Sequence, residues 1–275
     1  MPDARYTVRD VVGLAWCEWP GGPPPTLLMH GVGNYGWYWE LLAEAVDGQL
    51  RLIAPDARGH GDSDKPRHPE AYASREFVAD ALAIMDAAGA ASALVVGHSM
   101  GGGHAARLAV AHPERVRGLV LVDWSPAPLA EGAERARRLS LARPAGFADA
   151  AAALAYLRAT SPGYSDAVYA NRLAYAFARG PAGLVWKSSS AALAAILEGA
   201  RETEEHGPDL GRIACPTLVV RGTRSTVLSA DVARAAARTL RDGRLLELDA
   251  GHNVALDRPR ELAAAIVAFG ARSPA

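Results

Sequence analysis

Six short apolar runs separated by longer helical stretches leave this chain few architectures. The runs are TLLMH (26–30), LRLIAPD (50–56), SALVVGHS (92–99), VRGLVLVDW (116–124), CPTLVV (215–220) and RLLELDAG (244–251). Their β-branched, two-sided apolar character is what a parallel sheet covered on both faces requires. Between them the spacing predicts helices over about 37–46, 74–89, 100–112, 229–241 and 258–270. Two earlier strands within 5–19 read as an antiparallel edge leading into the GGPPP turn. Strand and helix alternating in this way predict an α/β fold with a mostly parallel, doubly wound sheet.

One stretch breaks the rhythm. From about Pro126 to Gly211 no run reads as a strand, and Ala-rich helical periodicity is punctuated by Pro and Gly. The segment is too long for a loop. It reads as a helical cap (126–211) inserted between two strands of a core made of 1–125 and 212–275. Ligands of open α/β sheets bind outside the carboxyl ends of the strands, so an insertion leaving from such an end covers the site.

The string GHSMG (97–101) follows the strand SALVV and precedes a helix. A serine between two glycines at a strand-to-helix turn can adopt the strained backbone of a nucleophile elbow. A side chain at Gly97 or Gly101 would collide with the neighbouring strand or helix. The elbow lifts the Ser99 hydroxyl into the cleft at a helix N-terminus, where free amides and the dipole favour developing negative charge. The competing structural reading is a serine that only caps the helix.

With HG (30–31) after a strand, DARGHGDSDKP (56–66), GHSMGG (97–102) and GH (251–252), the chain resembles the α/β-hydrolase family over nearly its whole length. The resemblance implies the α/β-hydrolase fold and a serine hydrolase that uses no metal or cofactor. Eight histidines could serve as the base. His30, His60 and His98 sit in tight turns, His104 and His112 on the helix after Ser99, and His68 and His206 in polar loops. His252 ends the last strand and matches the family's catalytic histidine. The resemblance also implies an oxyanion hole from the backbone N–H groups of Val32 and Met100. DARGHGDSDKP reads as scaffolding, with Asp56 and Arg58 bridging neighbouring turns.

The third catalytic position departs from the commoner family pattern. That pattern implies an Asp shortly after VVRG, yet Thr223, Arg224, Ser225 and Thr226 follow. Asp231 comes next but reads as a helix start, with Ser229 as N-cap. A minority of the family carries the acid after the strand that follows the nucleophile helix. Asp123, ending VRGLVLVD, occupies that place and keeps the chain order Ser, acid, His.

GVGNYG (31–36) is a literal G-x-G-x-x-G after a strand, with Asp56 following the next strand. Against a dinucleotide site, His30 intervenes, and Trp37, Tyr38 and Trp39 follow where a helix should pack closely. Four aromatic residues lie at 35–39, seven more fall between Phe147 and Trp186, and Trp124 stands at the cap entrance. These rings suggest an apolar pocket, with Trp37 and Trp124 as candidate substrate-binding residues. Packing of the cap on the core is the plainer explanation for most of the seven.

Composition closes off other classes. With 29 basic and 30 acidic residues there is no electrostatic footprint for nucleic acid. Cys17 and Cys215 stand alone in apolar contexts, without the pairing of a zinc site. No run reaches the ~18 apolar residues of a membrane span. The amino-terminal MPDARYTVRD lacks the apolar region of a secretory signal, so a cytoplasmic protein is expected. The expected substrate is a small hydrophobic ester, lactone or thioester. C–C bond hydrolysis, perhydrolase chemistry and a non-catalytic receptor on the same fold are the alternatives. Epoxide hydrolysis and dehalogenation fit less well, because the resembling families place Asp where Ser99 stands. The sequence does not define an oligomeric state.

Overall fold

The computed structural model describes residues 3–204 and 208–272, and all six predicted runs lie side by side in one sheet. Its first strands are β1 (Asp3–Arg9), β2 (Val12–Trp19), β3 (Thr26–Met29), β4 (Leu52–Pro55), β5 (Ala93–His98) and β6 (Val116–Val122). The insertion contributes β7 (Gly146–Phe147), β8 (Phe177–Gly180) and β9 (Gly183–Trp186), and β10 (Thr217–Gly222) and β11 (Gly243–Leu248) return to the main sheet. The spatial order is β1-β2-β4-β3-β5-β6-β10-β11. The β1–β2 and β2–β4 pairs are antiparallel, as the edge predicted within 5–19 requires, and the other pairs are parallel.

The β-branched runs are two-sided because both faces are covered. Along β5, Leu94 and Val96 enter one buried cluster while Ala93 and Val95 enter the other. In β6, Val120 and Val122 alternate in the same way with Leu119 and Leu121. This is the period of two expected of a strand. The first cluster is closed by α1 (Glu40–Val46) and α10 (Pro259–Gly270). The second is closed by α2 (Ser74–Ala87), α3 (Met100–Ala111) and α8 (Ala230–Thr239).

The chain runs from β3 to β4 on one side, then crosses back to place β5 on the other side of β3. This reversal opens a crevice at the carboxyl ends of β3 and β5, the position where open α/β sheets bind ligands. The loops after β3, β5, β6 and β11 all open onto it. They carry Val32, Ser99, Asp123 and His252 respectively.

The segment between β6 and β10 holds α4 (Ala130–Leu141), α5 (Ala150–Thr160), α6 (Asp166–Tyr175) and α7 (Ser190–Glu204). It is not free of strands, as the sequence suggested. β7, β9 and β8 form a small antiparallel sheet. Pro181 and Gly183, read as helix punctuation, instead turn the β8–β9 hairpin, with Gly183 at φ +125°. Inward-facing residues of α5 and α6, including Leu157 and Val168, share one buried cluster with α1. Asn171 fixes that contact: its carboxamide accepts from Tyr35 Oη (2.8 Å) and donates to Trp37 O (2.9 Å) and Glu40 Oε2 (2.8 Å). His206 lies outside the described residues.

Candidate active site

Ser99 stands between β5 and α3 at φ +52° and ψ −121°, a region costing a non-glycine residue about 1–3 kcal/mol. The surrounding glycines make this turn possible. A Cβ at Gly97 would lie 2.4 Å from Gly101 O, and one at Gly101 would lie 2.2 Å from Met29 O. Glycines in the first turn of α3 weaken it as a helix by about 1 kcal/mol each, so close approach to the sheet is their purpose.

His252 Nε2 lies 3.0 Å from Ser99 Oγ, and its Nδ1 lies 2.8 Å from Asp123 Oδ2. The buried Asp123 carboxylate accepts only, so Nδ1 carries the proton and Nε2 is left to accept from the serine hydroxyl. Asp123, at φ +45°, is held from a loop whose part was not read in the sequence. Gly222 N donates to Oδ1 (2.8 Å) and Ser225 Oγ donates to Oδ2 (2.5 Å). Asp231 lies elsewhere, 92% exposed and paired with Arg234, in the α8 start that Ser229 caps.

The other buried histidines are neutral scaffolding. His98 Nε2 donates to the His252 carbonyl at 2.9 Å, which fixes the loop carrying His252. Burial holds the His98 imidazole well below the usual range. His30 Nε2 accepts from Ala57 N and His60 Nε2 accepts from Gly33 N, each at 3.0 Å. Their Nδ1 atoms donate to Gly31 O and Arg58 O, and burial lowers both pKa values. Together they set the loop that carries Val32, which lines the same chambers as Ser99. The Val32 and Met100 N–H groups have no acceptor among the described residues. His104, stacked 4.3 Å from Phe77, has no partner at either nitrogen, and burial pushes it down to about 3.

Asp56 takes the amides of Gly36 (2.6 Å) and Asp62 (2.7 Å), while Arg58 makes two 2.6 Å bonds to Asp80. Asp56 therefore bridges turns as expected, whereas Arg58 ties its turn to Asp80 within α2. The Gly36 amide of GVGNYG is spent on Asp56, and a Cβ there would meet Ala54 O at 2.4 Å. Its glycine serves packing, and no helix N-terminus is offered to a pyrophosphate.

Two chambers meet at Ser99 and His252. The larger, about 490 Å³, is walled by Phe77, Met100, Trp124, Ile196 and Val227 among others. The smaller, about 200 Å³, runs under the cap past Leu157, Trp186 and Leu193. Trp124 thus lines a chamber. Trp37 does not: it stacks on Tyr175 of α6 at 4.5 Å and meets Trp19 of β2 edge-on, packing the inserted segment against the main sheet. Most cap rings likewise pack on one another, as in the Phe147, Tyr156, Phe177 and Trp186 cluster.

The family model described as alpha/beta hydrolase fold matches residues 24–259. This chain belongs to the α/β-hydrolase family. Among relatives of this α/β hydrolase, the 2-(acetamidomethylene)succinate hydrolase of Mesorhizobium japonicum is 29% identical, the match covering 76% of this chain and 74% of that one. The lipase LipV of Mycobacterium tuberculosis is 34% identical, with 90% and 93% covered. The crystal structure of E-2-(acetamidomethylene)succinate hydrolase superposes with a TM-score of 0.88 at 27% identity, covering 98% of this chain and 99% of that one. Among the described residues, no helix of this α/β hydrolase is long and apolar enough to cross a membrane, and no cluster of three or more His, Cys, Asp or Glu could hold a metal ion.

Proposed function

We propose that this α/β hydrolase is a serine hydrolase that cleaves a carboxylic ester, lactone or thioester of a largely hydrophobic substrate. The reading is carried by one observation, the continuous chain from Ser99 Oγ through the His252 ring to Asp123, with links of 3.0 and 2.8 Å. Ser99 Oγ attacks the carbonyl carbon as His252 Nε2 takes its proton. The tetrahedral oxyanion lies against the N–H groups of Val32 and Met100. As the intermediate collapses, the leaving alkoxide or thiolate takes the proton from Nε2, and the acyl group stays on Ser99. Nε2 then deprotonates a water, which attacks the acyl-enzyme. The acid departs and Ser99 recovers its proton. Asp123 holds the tautomer and stabilises the imidazolium that forms in both halves.

The mainly apolar wall of the larger chamber supports a hydrophobic substrate portion on that side of the scissile bond. The test is labelling by a fluorophosphonate together with a panel of esters, lactones and thioesters against the wild type and Ser99→Ala. The expected result is a label on Ser99 and turnover of at least one class, both lost in the variant. Labelling without turnover of any class would overturn the reading.

A further inference from the structure

Two arginines face the smaller chamber without a counter-ion. Arg143, between α4 and β7, donates from Nη1 to Ser188 Oγ (2.8 Å) and from Nη2 to Ser188 O (2.6 Å). Its Nε is buried with no partner, and its guanidinium lies 4.8 Å from the centre of the Trp186 ring. Arg172, on α6, makes one long side-chain contact, Nη1 to Ser161 Oγ at 3.5 Å, and lies 5.6 Å from the Tyr164 ring. No Asp or Glu lines this chamber. Among the described residues neither arginine forms an ion pair. Two other sheltered guanidinium groups are neutralised by carboxylates: Arg58 is bidentate on Asp80, and Arg9 pairs with Asp80 and Glu76. Two half-buried cations thus converge on one chamber to which the described residues supply no anion.

We infer that the smaller chamber is a carboxylate subsite, in which Arg143 and Arg172 receive an anionic end of the substrate whose carbonyl is attacked by Ser99. The planar guanidinium fork matches a carboxylate, and a charge-assisted bond would give each arginine an anionic partner. Leu139, Leu157, Leu193 and Trp186 supply an aliphatic and aromatic wall for the methylenes that join the two ends. A volume of about 200 Å³ holds a short chain and not a bulky ring system. Burial lowers the Arg143 pKa, and an anion beside the guanidinium would offset the cost of sheltering that charge. The larger chamber then takes the other, hydrophobic side of the scissile bond. The inference rests on the serine hydrolase reading for the position of the carbonyl, but not for the binding of the anion.

The experiment therefore has two arms. In the first, mono(4-nitrophenyl) glutarate is compared with its neutral methyl ester. The wild type is expected to favour the acid by at least about tenfold in kcat/KM, mainly through KM. Arg172→Met should bring the two substrates to within about threefold of each other, with the methyl ester changed by less than about threefold. Arg143→Met should act in the same direction, but Arg172→Met is the primary variant because its side chain carries so little structure. In the second arm, glutarate should raise the Tm of Ser99→Ala but not of Ser99→Ala/Arg172→Met, and dimethyl glutarate should raise neither. Ester turnover with no preference for the acid and no glutarate shift would overturn the subsite and leave the hydrolase reading standing. An Arg172-dependent glutarate shift in a protein that hydrolyses no ester would keep the subsite and overturn the hydrolase reading.

Discussion

Ser225 Oγ donates to Asp123 Oδ2 at 2.5 Å, the same oxygen that lies 2.8 Å from His252 Nδ1. The loop after β10, where the commoner family pattern places the acid, here supplies a donor that steadies a carboxylate arriving from β6. Asp123→Asn should lower kcat by orders of magnitude with little loss of stability, since an amide misdirects the His252 tautomer. Ser225→Ala should cost about tenfold in kcat/KM, as a hydrogen bond to a buried charge is worth about 1.5–3 kcal/mol. Asp231→Asn should leave activity within about twofold, as expected of an exposed surface pair. Steady-state kinetics on the three variants ranks them. Asp231→Asn as the most damaged would return the acid to the later loop.

In the proposed reaction Ser99 and His252 act on one proton, so their losses should not add. Ser99→Ala and His252→Ala should each reduce ester turnover by more than about a thousandfold, and the double variant should be no slower than the worse single one by more than about tenfold. The measurement is a double-mutant cycle on kcat/KM, with circular dichroism confirming the fold. Additive losses would mean that the 3.0 Å contact between them is not the one used in the reaction.

Much of this was legible before the structure, because the physics involved is local. Strands such as Ala93–His98 announce themselves through β-branched runs, and the elbow through the glycines on either side of Ser99. What escaped depends on neighbours remote in sequence. The β8–β9 hairpin is four residues per strand beside a Pro-Gly turn, too short for its alternation to stand out in a helical segment. Trp37 looked like a pocket residue because it follows the loop carrying Val32, but the side of that loop it takes is decided by Tyr175, far along the chain. Ser225, Arg143 and Arg172 carry no motif at all. Each gains meaning only from what the fold sets opposite it.

Asn171 makes a buried polar contact between the inserted segment and the helix α1 region, and its three bonds predict a measurable cost. Asn171→Ala leaves the buried Tyr35 hydroxyl without its acceptor and removes two donors from the α1 side. A loss of about 2–4 kcal/mol is expected, read as a lower midpoint in urea with an unchanged m-value. Adding Tyr35→Phe should recover part of that loss, because the orphaned hydroxyl then disappears. If the double variant is no better than the single, the bond from Tyr35 contributes little. A second, earlier transition in either variant would instead show that the cap unfolds by itself.

The four buried histidines predict acid sensitivity of definite sign. His30, His60, His98 and His104 are all held below the ordinary value, chiefly by burial, with His104 at about 3. In the unfolded chain each would titrate near about 6.5. Between the two values the unfolded state binds more protons, so stability is complete above about pH 6.5 and falls as pH drops toward the folded values. For His104 the linkage is worth about 2 kcal/mol at about pH 5, and it keeps growing until about pH 3. His104 can be isolated because it makes no hydrogen bond: its ring stacks on Phe77 at 4.3 Å and bonds to nothing. His104→Phe should therefore keep the stack and be at least as stable as the wild type at about pH 5, with a shallower fall in Tm between about pH 7 and pH 5. Calorimetry across that range decides it. A variant whose Tm falls as steeply as the wild type's would show that His104 is already protonated in the folded protein at the lower pH.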